Sequence, residues 1–275
     1  MSASGPRKPR TRRVRLDQLL VDRGLVVSRS QAQALILAGQ VRIGTDVPTK
    51  AGALVPETCD LRVIAPPRFV SRGGEKLDHA LVVFDIAVAG RVCADFGAST
   101  GGFTDCLLQR GVARVYAIDV GYGQLDYRIR QDARVVVMDR TNARFVAELP
   151  ERVTLTVIDV SFISLSLVLP AAIAVGDDRK EIVALIKPQF EAGKGAVGRG
   201  GVVRDPAVHR AVLQSVVMEA ERHGLSLRGL TASPLRGPAG NIEFLGHWCT
   251  GVSGDAVDAA SLIATAMREA PGKEQ

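Results

Sequence analysis

The sequence predicts an α/β protein: a doubly wound, mostly parallel sheet preceded by a small α+β domain. Three observations lead there. Beyond Pro66-Pro67, short apolar runs at 92–94, 115–118, 135–138, 155–158 and 182–186 alternate with helical patterns, as buried parallel strands and their crossover helices do. Ahead of those prolines, two short amphipathic helices and a small hairpin occupy about 50 residues, too few for much core of their own. The 275 residues are 47% hydrophobic and 23% charged, which excludes a mostly disordered chain.

The elements follow in order. Residues 1–15 carry Arg7, Lys8, Arg10, Arg12, Arg13 and Arg15 and no acid, which equals the whole formal charge of +6, so the rest sums to zero. Residues 1–14 read as a basic arm, disordered until a phosphate backbone or anionic surface binds it. In the small domain, 15–65, Leu16, Leu19 and Leu20 mark a helix over 15–24 that Gly24 ends. Ser28 caps a second helix, 29–38, and residues 41–43 and 61–64 are short strands. Arg15-Leu16-Asp17 has the look of a pseudouridine synthase motif, but Val14 stands where glycine is needed; Asp17 reads as a first-turn carboxylate at the helix dipole. Residues 66–72 are a linker, 73–250 the large domain and 251–275 an extension, amphipathic over 255–270, that docks on the body or on a partner.

In the large domain the informative polar residues follow the strands, where ligands of such sheets bind. The first strand ends in Asp95-Phe96-Gly97-Ala98-Ser99-Thr100-Gly101-Gly102-Phe103. This is neither Gly-x-Gly-x-x-Gly nor a P-loop, and Asp95 repels phosphate and suits a cation or an amino group. Asp119 ends the second strand, placed to accept both hydroxyls of a ribose; Asp139 ends the third, placed to accept an adenine amine. Together with the loop they predict S-adenosylmethionine as cofactor and S-adenosylhomocysteine as product. Four further residues sit where chemistry takes place: Lys76 before the first strand, Asp159 ending the fourth, Lys187 ending the fifth, and Glu243 in a late strand around 241–245. Lysines and acids in such apolar settings are seldom buried unpaired.

The pattern R-L-D-x-L-L-V-x-R-G-L-x-x-S-R-x-x-A followed by G-x-V-x-I resembles the ribosomal S4-type RNA-binding module. The resemblance implies that Arg15, Arg23, Arg29 and Arg42 meet structured RNA, by shape and phosphate contact, since that segment has no aromatic platform. The order Lys76–Asp159–Lys187–Glu243 resembles the FtsJ-type ribose 2′-O-methyltransferases, and the whole chain resembles the TlyA (haemolysin A) family of rRNA methyltransferases. The motifs that carry this are 70–77, 97–104, 119–125, 159–164 and Lys187-Pro188-Gln189-Phe190-Glu191. The resemblance implies a Rossmann-like class I methyltransferase domain, Asp159 touching the cofactor as well as the lysine, and cytidine 2′-hydroxyls of ribosomal RNA or ribosomal subunits as substrate. Its longer termini lean toward action on both subunits. Lys187 is the expected base, aided by burial and by Lys76 nearby.

The remaining features set expectations of absence. The four cysteines (59, 93, 106, 249) lie away from the reactive strand ends and read as structural in a reducing cytoplasm. The four histidines (79, 209, 223, 247) lack metal-ligand spacing, so no metal is expected; His79 and His209 read as helix-surface residues. Residues 191–204 hold five glycines, a flap over RNA or cofactor, and Asp205 caps a helix running to His223. The uncharged stretch 160–176 contains Pro170 and three serines and falls short of the ~20 apolar residues of a membrane span; it reads as a strand end and a core helix, with no stable membrane association. The alternatives are a membrane-active haemolysin-like protein, which lacks its apolar span, and a non-catalytic RNA-binding assembly factor, against which the intact lysine–acid set argues.

Overall fold

The computed structural model describes residues 12–64, 67–198, 200–250 and 257–270. It forms two compact units, Met1–Arg68 and Phe69–Gln275. The first contains β1 (Arg13–Arg15), α1 (Leu16–Asp22), α2 (Arg29–Leu37), β2 (Val41–Ile43), β3 (Leu54–Pro56) and β4 (Leu61–Val63). β1 pairs antiparallel with β3, and β2 with β4. The expectation of a disordered arm through residue 14 is therefore corrected at its end: Arg13 and Val14 are in a strand, and α1 starts one residue later than the apolar spacing predicts. Arg7, Lys8 and Arg10 lie outside the described residues. Leu16, Leu19 and Leu20 are buried as their spacing requires, and Gly24 (φ +67°) turns the chain out of α1. The Ser28 hydroxyl accepts the Gln31 N–H at 3.2 Å, the predicted cap.

The second unit runs α3 (Gly73–Val83), β5 (Val92–Phe96), α4 (Gly102–Gln109), β6 (Arg114–Ile118), α5 (Tyr127–Arg130), β7 (Val135–Met138), β8 (Val153–Ile158), α6 (Leu169–Val175), β9 (Gly176–Ile186), α7 (Pro188–Glu191), α8 (Pro206–Arg222), β10 (Ser226–Ala232), β11 (Phe244–Cys249) and α9 (Ala259–Glu269). Its sheet has the order β10-β11-β9-β8-β5-β6-β7. The five predicted strands are parallel, and β11 and β10 add antiparallel pairs at one side. From β5 the chain winds first to β6 and β7, then returns to β8 on β5's other side, so the switch point lies between β5 and β8. Successive residues serve opposite cores: Cys93, Val115 and Val157 face the layer of α3 and α4, while Ala94, Tyr116 and Ile158 face that of α6, α8 and α9.

Three local readings change. β11 begins at Phe244, so Glu243 stands just before the strand rather than inside it. His209 is buried (2% exposed), its Nε2 3.1 Å from the Val203 carbonyl oxygen and its ring edge-on to Phe244; α8 turns it inward to hold the end of the glycine-rich segment. The same end is anchored by Asn241, which accepts the Val203 N–H at 3.0 Å and donates to the Gly201 carbonyl at 2.9 Å. α9 buries Ile263 and Ala266 in the core beside α8 and β10, which answers where the C-terminal apolar face goes. Phe69, 4% exposed, already belongs to the core of the second unit. Leu165, Leu169, Ala172 and Val175 place the uncharged stretch in the core, and no helix among the described residues is long and apolar enough to cross a membrane.

Candidate active site

The β5 loop meets the β8 loop at Gly97. Its φ is +88°, and a Cβ there would stand 2.7 Å from the Asp159 carbonyl oxygen, so only glycine permits the approach. Ser99 takes φ +50° and donates its N–H to Asp119 Oδ2 at 2.8 Å, while Asp119 Oδ1 accepts the Gly121 N–H at 2.7 Å. Each carboxylate oxygen keeps a further lone pair for a ligand hydroxyl. A cavity of about 470 Å³ opens here, with Gly97, Ser99, Asp119 and Asp159 in its wall. Asn142 adds an amide, and Ile118, Val120, Ile163 and Val168 add apolar surface suited to a planar base.

A second cavity of about 280 Å³ adjoins it and shares Gly97, Ser99, Asp159 and Ser161. Ala98, Thr100, Gly102 and Phe103 of the predicted loop line this one instead, together with Lys76, Lys187 and Glu243. Lys76 Nζ lies 2.5 Å from Glu243 Oε2, and both side chains are buried. Lys187 Nζ lies 2.6 Å from Asp159 Oδ1 but aims its hydrogen bonds at the Val160 carbonyl and the Ser161 hydroxyl, both at 2.8 Å. Asp159 Oδ1 is buried and receives no aligned hydrogen bond, its partner being the Lys187 charge, and the residue lines both cavities.

Three of the residues expected to touch the cofactor stand outside the walls of both cavities. Asp95 is fully buried beneath the loop, lines neither cavity, and accepts the Thr104 hydroxyl at 2.6 Å. Burial pushes its carboxyl up to about 7, against the lowering effect of Thr104, with the nearby Asp159 and Asp119 charges adding to the rise. Asp139 does not reach the cavity either: Arg130 pairs with it and the Gly123 N–H donates to it, and Asn142, three residues on, stands in the wall. Gly101 (φ +95°) is the cap of α4, packed on Leu125, rather than a wall residue.

Sequence reasoning missed Phe162. It sits at φ +64° with 90% of its surface exposed, in the cavity wall, its ring centroid 5.0 Å from that of Phe190. Tyr122, under the Arg140 guanidinium at 4.4 Å, and Phe145, under Arg144 at 5.2 Å, are also exposed on segments that flank the same cavity. Aromatic residues after strands are usually core, and only the fold reveals that these rings face solvent.

In the first unit, Asp17 is fully buried and accepts from Arg15, Arg29, Gln33 and the Gln18 N–H. The Arg15 hydrogen bonds, with those of Arg29 and Gln33, hold its carboxyl well below the usual range despite burial. Asp17 stands in the first turn of α1, as its position in the sequence predicts, and also anchors an arginine pair; Arg15 and Arg29 remain about half exposed. Arg23 donates to the Cys59 and Glu57 carbonyls, Arg42 to that of Gly39, and Arg13 to that of Leu54, while Arg12 stands 3.9 Å from Glu57. Among the described residues no cluster of three or more His, Cys, Asp or Glu is placed to hold a metal. The four cysteines are free, and burial pushes Cys93 up to about 12.

A seven-stranded, mostly parallel sheet with a glycine loop, a strand-end acid and adjoining cavities defines a class I methyltransferase domain behind a small RNA-binding module. Family models agree: the FtsJ-like methyltransferase model matches residues 69–248 and the S4 domain model matches 14–57. The chain is 52% identical over 239 residues to the 16S/23S rRNA (cytidine-2′-O)-methyltransferase TlyA of Mycobacterium tuberculosis, covering 85% of this chain and 88% of that one. It is 42% identical over 242 residues to Hemolysin A of Brachyspira hyodysenteriae, covering 86% and 99%. A solved hemolysin structure from Streptococcus thermophilus superposes with TM-score 0.70 at 40% identity, covering 94% of this chain and 98% of that one. The chain belongs to the TlyA family of FtsJ-like methyltransferases.

Proposed function

We propose that the protein transfers the methyl group of S-adenosylmethionine to the ribose 2′-hydroxyl of a cytidine in ribosomal RNA, in the cytoplasm. The observation that carries this reading is the pair of lysine–carboxylate contacts, Lys76–Glu243 and Lys187–Asp159, lining one cavity that shares four wall residues with its larger neighbour. The larger cavity fits the cofactor: Asp119 offers carboxylate oxygens to a ribose, Asn142 and the apolar wall suit adenine, and Asp159 stands in the walls of both cavities. The bound cofactor supplies a methyl group on a positively charged sulfur. The smaller cavity receives the target ribose.

Attack by a hydroxyl requires alignment and removal of its proton. Lys187, held by the Val160 carbonyl and the Ser161 hydroxyl, is the group that takes the 2′-hydroxyl proton at Nζ, with Asp159 beside it to stabilise the ammonium that forms. Lys76, fixed by Glu243, orients the same hydroxyl from the other wall. Alignment alone accounts for about 7–11 kcal/mol of barrier lowering in favourable cases. The exposed Phe162 and its aromatic neighbours suit stacking with an unpaired nucleotide, and the arginines of the first unit suit the phosphates of folded RNA. The basic residues Arg7, Lys8 and Arg10 extend that character.

The test is labelled methyl transfer from S-adenosylmethionine to assembled subunits and to bare rRNA, followed by mapping of 2′-O-methyl positions. Lys187→Ala should abolish transfer while S-adenosylhomocysteine binds nearly as before. Retained turnover in that variant would remove Lys187 from the role of base; label on a nucleobase or on protein would sink the ribose assignment.

A further inference from the structure

The loops after β8 and β9 carry facing parts of the site: Asp159 and Ser161 on one, Lys187 on the other. The β8 loop also holds Phe162 in left-handed backbone space, where a bulky residue stays only if surrounding contacts enforce it. Lys187 grips the start of this loop through Asp159, Val160 and Ser161. Its far end is gripped by Glu191, four residues past Lys187 at the end of α7. Glu191 Oε1 accepts the Leu165 N–H at 2.8 Å, and Oε2 accepts the Ser164 hydroxyl at 2.6 Å. Leu165 opens the 3₁₀ turn Leu165–Leu167, so its N–H has no partner within that turn and Glu191 caps it from another loop. The Phe162–Phe190 ring contact lies between the two grips. Burial pushes the Glu191 carboxyl up, as expected for a group enclosed between loops. Glu191 lines neither reaction cavity; it borders a separate polar one of about 220 Å³ with Ser164, Ser166 and Glu219.

Resting on the methyl-transfer reading above, we infer that Glu191 is a positioning residue, clamping the 159–165 segment to the Lys187 turn so that Asp159, Ser161 and Lys187 stay in register. It acts through the loop and touches no reacting atom. Without it the segment keeps its Lys187 contacts and the burial of Leu165 but loses the polar grip between its far end and the Lys187 turn, and Phe162 is less firmly held in its left-handed conformation.

The experiment compares full-length wild type with Glu191→Ala, Glu191→Gln and Ser164→Ala by steady-state methyl transfer, with S-adenosylhomocysteine affinity and thermal midpoint measured in parallel. Misplacement by about 1 Å costs on the order of 10²-fold in rate, which sets the expected fall in kcat for Glu191→Ala, with KM for RNA little changed. Glu191→Gln keeps an acceptor for Leu165 and a donor for Ser164, and should recover most of the rate. Ser164→Ala loses one of the two Glu191 bonds together with the hydroxyl's own contacts to the Ser166 N–H and hydroxyl, keeps the Leu165 cap, and should fall between. Wild-type turnover by Glu191→Ala, no rescue by Gln, or a loss confined to KM overturns the inference. If Glu191→Ala melts below the assay temperature, the other two variants decide: Gln must be faster than Ser164→Ala. An inactive wild type counts against the methyl-transfer reading itself, whereas an active wild type with a silent Glu191→Ala counts only against the clamp.

Discussion

Replacing Glu243 by alanine should damage stability and catalysis together, and a second substitution should separate them. Lys76 Nζ and Glu243 Oε2 are 2.5 Å apart, with side chains 9% and 1% exposed. At an effective dielectric of about 20, that spacing gives roughly 7 kcal/mol of gross attraction. Desolvation of the two ions offsets most of it, so the net value of the intact pair is small. Glu243→Ala removes the attraction and leaves the lysine's desolvation uncompensated, a loss of about 3–5 kcal/mol. For a unit of this size each kcal/mol moves the midpoint by about 2–4 °C, so the melt should fall by roughly 6–20 °C. Adding Lys76→Met removes the stranded charge and should restore most of the midpoint, while methyl transfer stays lost. Circular dichroism melts and a filter-based methyl-transfer assay on the same preparations read both quantities. A Glu243→Ala melt indistinguishable from wild type, or turnover regained by the double variant, would refute the reasoning.

Asp95 supplies a pH prediction. Its folded value of about 7 lies above the unfolded value of 3.8, so its favourable contribution is complete below about pH 4 and is lost as pH rises toward 7. Denaturation curves from pH 4 to 8 should show Asp95→Asn losing less stability over that window than wild type; parallel curves would contradict the assignment. Gly97→Ala should weaken S-adenosylhomocysteine binding by at least about tenfold and destabilise the second unit by about 1–3 kcal/mol, because φ +88° and the Asp159 carbonyl both oppose a Cβ; calorimetry showing unchanged affinity would argue against the loop contact. Asp17→Ala should lower the stability of the first unit by about 2 kcal/mol, since it removes charge-assisted bonds from Arg15 and Arg29. It should also weaken RNA binding at low salt; equal affinity would show that the arginine pair needs no anchor.

The sequence by itself determined the alternation of strands and helices, the glycine loop, and the positions of Asp119, Asp159 and Lys187 at strand ends; Lys76, read as lying just before the first strand, stands in α3. These are local properties: apolar runs of strand length, the absence of a Cβ, and polar residues where a strand stops. Tertiary structure alone decided which of these groups meet. Lys76 and Glu243 are 167 residues apart, and no periodicity encodes their contact; it follows from α3 and β11 converging on one side of the sheet. Asp95 and Asp139 had the same local signature as Asp119, yet burial under Thr104 took one and Arg130 took the other. The antiparallel addition of β11 and the edge strand β10, the exposure of Phe162 and the enclosure of His209 likewise depend on what packs against each residue. A side chain's neighbours are set by the long-range register of the sheet, which is fixed only when the whole chain has folded.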